Sequence, residues 1–148
     1  MSNKHLIGLK SEVFHYKVEL EHLQNFAKAI GDDNPLYFDE EFAKNSIHGG
    51  IIAPPTYPIA IGATGGSIDL GLDQRRMLHG EQSFIYERVI RPNDELTCQL
   101  VISDVYEKDG KNGKMEFILL DTEMRDASGE LVVISRTNIV YRPKKEAV

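Results

Sequence analysis

Four consecutive β-strand patterns fill the second half of this chain, and no other feature constrains its fold as strongly. After residue 79, alternating and β-branched apolar residues predict strands at 82–89, 96–106, 115–125 and 131–141. Segments rich in glycine, asparagine and aspartate predict turns between these strands, at 91–94, 109–113 and 126–129. Strands that follow one another through such short turns are expected to form an antiparallel sheet.

The first half of the chain is predicted to begin with a strand and a helix. Apolar and polar residues alternate within 11–18, which predicts a short strand. Apolar residues then recur at three- and four-residue spacing, at Leu20, Leu23, Phe26, Ala27 and Ile30. This spacing predicts a helix over 20–30 with one apolar face. Gly31 is expected to end it, because glycine readily adopts the conformation that terminates helices.

A loop and two further helices are predicted before the sheet. The Asn-Pro pair within 32–38 predicts a loop, and Asp39 is a suitable N-cap for a short helix over 40–44. The segment 57–63 is almost wholly apolar, which predicts a buried helix. Pro54-Pro55-Thr56 opens this segment, and proline is well tolerated in a first helical turn.

The order of the elements predicts the fold class. Helices precede an unbroken series of strands, so we expect an α+β fold rather than alternating α/β units. A single helix that is apolar on all sides suits an antiparallel sheet that curves around it. The apolar helix at 57–63 is therefore expected at the centre of the fold.

Length and composition indicate a soluble, cytoplasmic, single-domain protein. The 148 residues predict one domain over 1–148, with short flexible ends at about 1–8 and 143–148. A formal net charge of −6 argues against nucleic-acid binding. Cys98 is the single cysteine, which excludes an internal disulfide, and its strand-like surroundings predict a structural thiol. The sequence shows neither a signal peptide nor an apolar run long enough for a membrane span.

Three separated segments resemble a known family when they are taken together. The segments are 31–37 (Gly-Asp-Asp-Asn-Pro-Leu-Tyr), 49–56 (Gly-Gly-Ile-Ile-Ala-Pro-Pro-Thr) and 79–82 (His-Gly-Glu-Gln) with 91–94 (Arg-Pro-Asn-Asp). They resemble the MaoC-like (R-specific) enoyl-thioester hydratases and dehydratases. The best match is to N-terminal MaoC dehydratase-type domains, which resemble the non-catalytic subunit of two-subunit 3-hydroxyacyl-carrier-protein dehydratases. This resemblance implies the hot-dog fold, a curved antiparallel sheet wrapped around a central helix.

The resemblance places a degenerate catalytic loop at 31–37. In catalytic relatives an aspartate and a histidine five positions later hold the reacting water. Asp32 matches the aspartate, whereas Tyr37 stands in the place of the histidine. A phenol has a reference pKa near 10 and is a poor base at neutral pH. Asn34 either helps to orient the water or simply turns the chain before proline.

A second departure lies at the start of the central helix. Active relatives have His-Gly there, and the glycine N–H faces the thioester carbonyl. This chain has Pro54-Pro55, and proline carries no N–H. Thr56 is the nearest residue whose N–H could substitute. Pro55, Thr56, Tyr57 and Ile59 are the predicted substrate-binding positions, with the apolar helix residues expected to line or back an acyl tunnel.

Other polar residues leave alternatives open. Asp32 fits an ordinary loop as well as a working site. His48, beside a Gly-Gly pair, and His79, two residues from Glu81, are candidate auxiliary groups, although solvated or structural roles are the simpler interpretations. His5, His15 and His22 lack metal-ligand spacing, so no metal and no cofactor is expected.

Three functional hypotheses follow from these patterns. The first is a binding and structural subunit that pairs with a catalytic MaoC-like chain and acts on acyl-CoA or acyl-carrier-protein thioesters. The second is a free-standing homodimeric R-specific enoyl-CoA hydratase that uses Asp32. The third is a non-enzymatic acyl-thioester binder. In each case a homodimer or heterodimer is expected, because an uncovered sheet edge is usually buried by association.

Overall fold

The computed structural model describes residues 2–144 and shows four helices and five strands. In chain order they are β1 (Phe14–Lys17), α1 (Leu20–Ala29), α2 (Pro35–Phe38), α3 (Glu40–Lys44), α4 (Pro58–Gly62), β2 (Met77–Tyr86), β3 (Glu95–Gly110), β4 (Gly113–Arg125) and β5 (Leu131–Tyr141). Two short 3-10 helices lie at Lys4–Leu6 and Gln74–Arg76. This order of helices followed by strands is the expected α+β arrangement.

All five strands form one antiparallel sheet in the order β1-β3-β4-β5-β2. The predicted strand over 131–141 coincides with β5, and the predictions for β3 and β4 are confirmed with longer strands. The hairpin between β3 and β4 is tighter than the predicted 109–113, because Gly110 pairs directly with Gly113. Gly113 has a φ of 119°, a conformation open to glycine, and this permits a connection of two residues.

Helix α1 buries the face that its apolar spacing predicts. Leu23 and Ala27 are fully buried. Ile30 lies just beyond the helix and is 49% exposed, so its predicted place on the apolar face is wrong. Ile30 is the C-cap residue of α1, and the helix ends there because Gly31 adopts a φ of 72°.

The loop predicted over 32–38 contains a helical turn, α2, and this corrects the prediction. The Asn34 side chain caps α2 by accepting a hydrogen bond from the Leu36 N–H, and Pro35 occupies the first helical position. Proline is favoured there, because that position needs no N–H donor. The Asn-Pro pair therefore starts a helix rather than preventing one. Asp39 caps α3 as predicted, accepting from the Phe42 N–H at 3.0 Å.

The apolar segment at 57–63 forms α4, a helix of five residues that is buried on one side only. Tyr57 and Ile61 face the core and are 1% and 0% exposed, whereas Ile59 is 42% exposed. The prediction of a helix buried on all sides is therefore wrong. A single short helix rests one face on the sheet and leaves the other face outward.

Two core clusters lie on the same face of the sheet, toward opposite ends of its long strands. The first core cluster is built around Leu23, Tyr37, Tyr57, Ile61, Met124 and Val133. The second core cluster comprises Leu6, Ile102, Val105, Ile118, Ile139 and Tyr141, partly covered by the segment that holds Ile68, Leu70 and Leu72. Met124 and Ile118 lie six residues apart in β4, and strand alternation puts both on one face.

Residues near both ends of the described chain contact this framework. Leu6 is buried in the second core cluster, and the Asn3 side chain donates to the Glu116 carboxylate at 2.7 Å. The Arg142 N–H donates to the Arg76 carbonyl at 2.9 Å. The flexibility expected at about 1–8 and 143–148 stays a prediction. Residues 145–148 lie outside the described part of the chain.

Candidate functional site

The loop that follows α1 folds around Asp32 and Asn34. The Asp32 N–H donates to the Ala27 carbonyl at 2.9 Å, which fixes the backbone at the end of α1. One oxygen of the Asp32 carboxylate accepts the Asn34 N–H at 3.1 Å. The Asn34 side-chain oxygen is in turn occupied by the Leu36 N–H. Asn34 therefore shapes the loop through its oxygen.

Tyr37 is buried at the end of this loop and lies against Asp32. Its side chain is 4% exposed. Burial raises the pKa of the phenol, and the charge of the neighbouring Asp32 carboxylate raises that pKa further. Tyr37 thus keeps its proton at neutral pH beside Asp32. This pair cannot exchange a proton near neutrality as a carboxylate–imidazole pair does.

Backbone hydrogen bonds bring this loop to the start of α4. The Ile52 N–H donates to the Leu36 carbonyl at 3.3 Å, and the Ala53 N–H donates to the Ile90 carbonyl at 2.8 Å. The segment that precedes Pro54 is therefore held between α2 and the chain that follows β2. These hydrogen bonds place the loop that holds Asp32 and Tyr37 next to the segment that leads into the double proline.

The turn at Pro54–Tyr57 exposes two of the predicted substrate-binding residues. The Tyr57 N–H closes the turn by donating to the Pro54 carbonyl at 2.9 Å. Pro55 and Thr56 are exposed at its outer side. Neither proline offers an N–H, and within residues 2–144 the Thr56 N–H meets no acceptor. Thr56 therefore supplies the backbone donor that remains open to a ligand at this turn.

Tyr86, which the sequence did not single out, completes the site. It is the last residue of β2, and its hydroxyl donates to the Pro55 carbonyl at 2.6 Å. Burial raises the pKa of Tyr86, and the nearby Tyr37 adds to this effect. The only sequence signal for Tyr86 is strand alternation, which places it on the same face as Phe84. Nothing in that alternation indicates that the strand ends beside Pro55.

Tyr57 and Ile59 occupy different environments although both belong to the apolar segment. The Tyr57 ring packs edge-on against Phe26 with centroids 5.3 Å apart, and its hydroxyl is hydrogen-bonded to the Tyr16 hydroxyl. Burial is the main cause of the raised pKa of Tyr57, and the hydrogen bond to Tyr16 raises that pKa further. Tyr57 thus backs the turn from inside the core. Ile59 faces outward on α4.

The two candidate histidines lie in separate places. His48 is half-buried, and both of its described hydrogen bonds use its backbone: its carbonyl accepts from Arg91 and its N–H donates to Ser46. His79 is exposed near the start of β2 and bonds Gln82 at 3.0 Å. Tyr86 lies seven positions after His79 along the strand, a distance of roughly 23 Å. His79 therefore lies outside the site, and the irregularity between His79 and Glu81 breaks the alternation that suggested their pairing.

The remaining groups add no further reactive centre to the described residues. Cys98 is fully buried on β3, and burial raises the pKa of its thiol to about 12. A thiol in that state is a packing group rather than a nucleophile. Residues 2–144 contain no group of three metal-ligating side chains, and no helix among them is long and apolar enough to cross a membrane.

The fold and the site together define the class of this protein. A five-stranded antiparallel sheet in the order β1-β3-β4-β5-β2, with a short apolar helix on one face, is the hot-dog fold. The Asp32 loop meets the first turn of that helix. The chain belongs to the FAS1-like dehydratase domain family, whose model matches residues 5–135, and so to the MaoC-like hot-dog proteins.

Individual relatives agree with this assignment. The UPF0336 protein of Streptomyces coelicolor is 39% identical over 137 residues, which cover 89% of this chain and 89% of that protein. The ChsH1-ChsH2 complex from Mycobacterium tuberculosis matches with a TM-score of 0.78 at 22% identity, over 98% of this chain and 89% of the matched chain. The HadBC (3R-hydroxyacyl-ACP dehydratase) complex from the same organism matches with a TM-score of 0.73 at 22% identity, over 91% and 96% of the two chains. These structural similarities establish the shared fold.

Proposed function

We propose that this chain is the substrate-binding and structural subunit of a (3R)-3-hydroxyacyl-thioester dehydratase. In this function it pairs with a catalytic MaoC-like chain, and the pair interconverts 3-hydroxyacyl and trans-2-enoyl thioesters. The partner supplies the acid–base groups. The observation that carries the proposal is Tyr37, a buried phenol that holds its proton beside Asp32 where catalytic relatives have histidine.

The chemistry of hydration explains why this substitution matters. Water must be activated by a base, and a proton must reach the α-carbon of the thioester. The Asp32 carboxylate accepts the Asn34 N–H, and the protonated Tyr37 phenol lies beside it. Tyr37, which stands in the place of the histidine, has a raised pKa and does not exchange its proton at neutrality. The loop is thus better suited to holding its shape than to moving protons.

The start of α4 supports the same role. Developing negative charge on the thioester oxygen needs donors, and loss of one such donor typically lowers the rate by about 10²–10³. Pro54 and Pro55 contribute none, and the Pro55 carbonyl is itself an acceptor occupied by Tyr86. The turn still offers the Thr56 N–H and an exposed surface, which suits binding of the thioester arm.

A partner chain is supported by the sheet and by the related structures. β1 and β2 are the two edge strands, and β2 presents ten residues along an edge that no described strand covers. An edge of this length is usually buried by association. Two of the structures that share this fold are complexes, and one of them is named a 3R-hydroxyacyl-ACP dehydratase. We therefore favour a heterodimer over a chain that works alone.

The direct test is hydration of crotonyl-CoA, followed by the loss of absorbance of the enoyl thioester. The purified chain is expected to give no turnover above background. Co-expression with a MaoC-like partner that retains an Asp-x-x-x-x-His loop is expected to give turnover, which is lost when the partner's histidine is replaced. His5→Ala in this chain is the matched control and should leave turnover of the complex unchanged, because His5 is exposed in the 3-10 helix at Lys4–Leu6, outside both the site and the edge strands.

A free-standing hydratase is the second candidate, because Asp32 keeps its carboxylate in an accessible loop. That function requires turnover by the lone chain and its loss in Asp32→Asn. Clear turnover of this kind would contradict the subunit role. Saturable thioester binding without turnover under any pairing would instead identify a non-enzymatic binder.

A further inference from the structure

The geometry points to Tyr86 as the side chain of this subunit that hydrogen-bonds the carbonyl oxygen of a bound acyl thioester. The inference rests on the proposed function, since it assumes that the turn at Pro55 and Thr56 receives the thioester arm. It assigns a specific contact to a residue outside the loops that resemble the family. The contact would replace a donor that the double proline has removed.

The first step is that two phenols lie at this site, and their neighbouring acceptors differ in charge. The buried Tyr37 phenol lies beside the Asp32 carboxylate, a charged acceptor. Hydrogen bonds to charged acceptors are roughly twice as strong as neutral ones, so a thioester carbonyl competes poorly for the Tyr37 proton. Tyr86 donates instead to the neutral Pro55 carbonyl at 2.6 Å. One neutral carbonyl can replace another at little cost in free energy.

The second step is that the acceptor released by this exchange can be satisfied. Pro55 is exposed, so its carbonyl can bond water once Tyr86 turns to a ligand. A buried carbonyl would lose its partner and resist the exchange, at a cost of about 1–3 kcal/mol. The existing hydrogen bond therefore holds the phenol in position, and a ligand carbonyl can still replace the Pro55 carbonyl as its acceptor.

The third step concerns protonation and position. Burial raises the pKa of Tyr86, so its hydroxyl remains a donor across the neutral range. The residue ends β2, a strand paired with β5 up to Tyr86 and Val133, so its backbone is fixed by the sheet. The exposed Thr56 N–H lies on the residue next to Pro55. A carbonyl oxygen at this turn would thus meet a rigidly placed phenol and a backbone donor.

The test compares two ligands that differ in one oxygen atom. Butyryl-CoA carries the thioester carbonyl, whereas S-butyl-CoA, the thioether, lacks it. Dissociation constants are measured by isothermal titration calorimetry for the wild-type chain and for Tyr86→Phe. The variant should weaken butyryl-CoA binding about fivefold or more, because the ligand carbonyl loses water without gaining a donor. Binding of S-butyl-CoA should change by less than about twofold.

A matched control is Tyr106→Phe, which removes a phenol hydroxyl that bonds the Asn138 side chain away from the site. It should alter neither dissociation constant, and a thermal melt checks that both variants are folded. Equal weakening of both ligands by Tyr86→Phe, or no weakening of either, overturns the assignment while leaving thioester binding intact. Turnover of crotonyl-CoA by the lone chain overturns the subunit role and leaves the Tyr86 contact standing. A wild-type chain that binds neither ligand contradicts both.

Discussion

The two core clusters lie on one face of the same sheet, but the tyrosine hydroxyls in the two clusters have different neighbours. The first core cluster gathers Tyr37 and Tyr57, with Tyr86 packed against it and Asp32 at its rim. The second core cluster is mostly aliphatic, and its tyrosine, Tyr141, accepts the Asp73 N–H at 3.2 Å and so fastens the covering loop. Hydroxyls beside a carboxylate and an exposed turn form the candidate binding site. The Tyr141 hydroxyl, which accepts a backbone N–H of the covering loop, only stabilises the fold.

The strongest test of this comparison removes one buried isoleucine from each cluster. Ile61 belongs to the first core cluster and Ile118 to the second, and both are fully buried. Ile61→Ala and Ile118→Ala should each lower the free energy of unfolding by about 2–5 kcal/mol, measured by urea denaturation. Only Ile61→Ala should also weaken butyryl-CoA binding, because Ile61 supports α4 and the turn before it. Weakened binding in a folded Ile118→Ala variant would break the separation of the two clusters.

A smaller effect is expected at alkaline pH. The pKa of Tyr57 is raised by burial, so the folded chain favours the neutral phenol. This stabilisation is complete below the pKa of an unfolded tyrosine, near 10, and is lost as pH rises from there toward the folded value. The group should lower stability by about 1.4 kcal/mol per pH unit in that window. Tyr57→Phe should therefore lose stability less steeply than wild type in urea denaturation above pH 10. An identical slope would mean that Tyr57 ionises as readily in the folded chain as in the unfolded one.

The smallest effect distinguishes a cap from a catalytic group. Asn34 caps α2 within the loop that holds Asp32, and Asp39 caps α3 after that loop has ended. Asn34→Ala and Asp39→Ala should each lower the free energy of unfolding by about 1 kcal/mol. If Asn34 acts only as a cap, the two variants should also bind butyryl-CoA with similar affinity. A selective loss of binding in Asn34→Ala would assign Asn34 a contact with ligand.

Much of the architecture could be predicted from local patterns. The alternation of apolar and polar residues predicted β5 at its observed bounds, because successive side chains of a strand point to opposite faces of the sheet. Asp39 was recognisable as a cap, because capping is a contact between neighbours in sequence. The Asn-Pro pair was misread for a related reason. The same two residues fit a loop and the first turn of a helix, and the hydrogen bond to Leu36 decides between them.

The sequence by itself determined the α+β class, the single buried cysteine and the replacement of the expected histidine by Tyr37. Only the tertiary structure decided that Tyr86 meets Pro55, 31 residues away, that Tyr16 meets Tyr57, 41 residues away, and that His79 lies at the far end of β2. The physical reason is that local patterns describe neighbours in the sequence, whereas these contacts join residues that are distant in the sequence. Polarity and spacing fix a residue's face, whereas the register of the sheet and the path of the chain across it fix which faces meet.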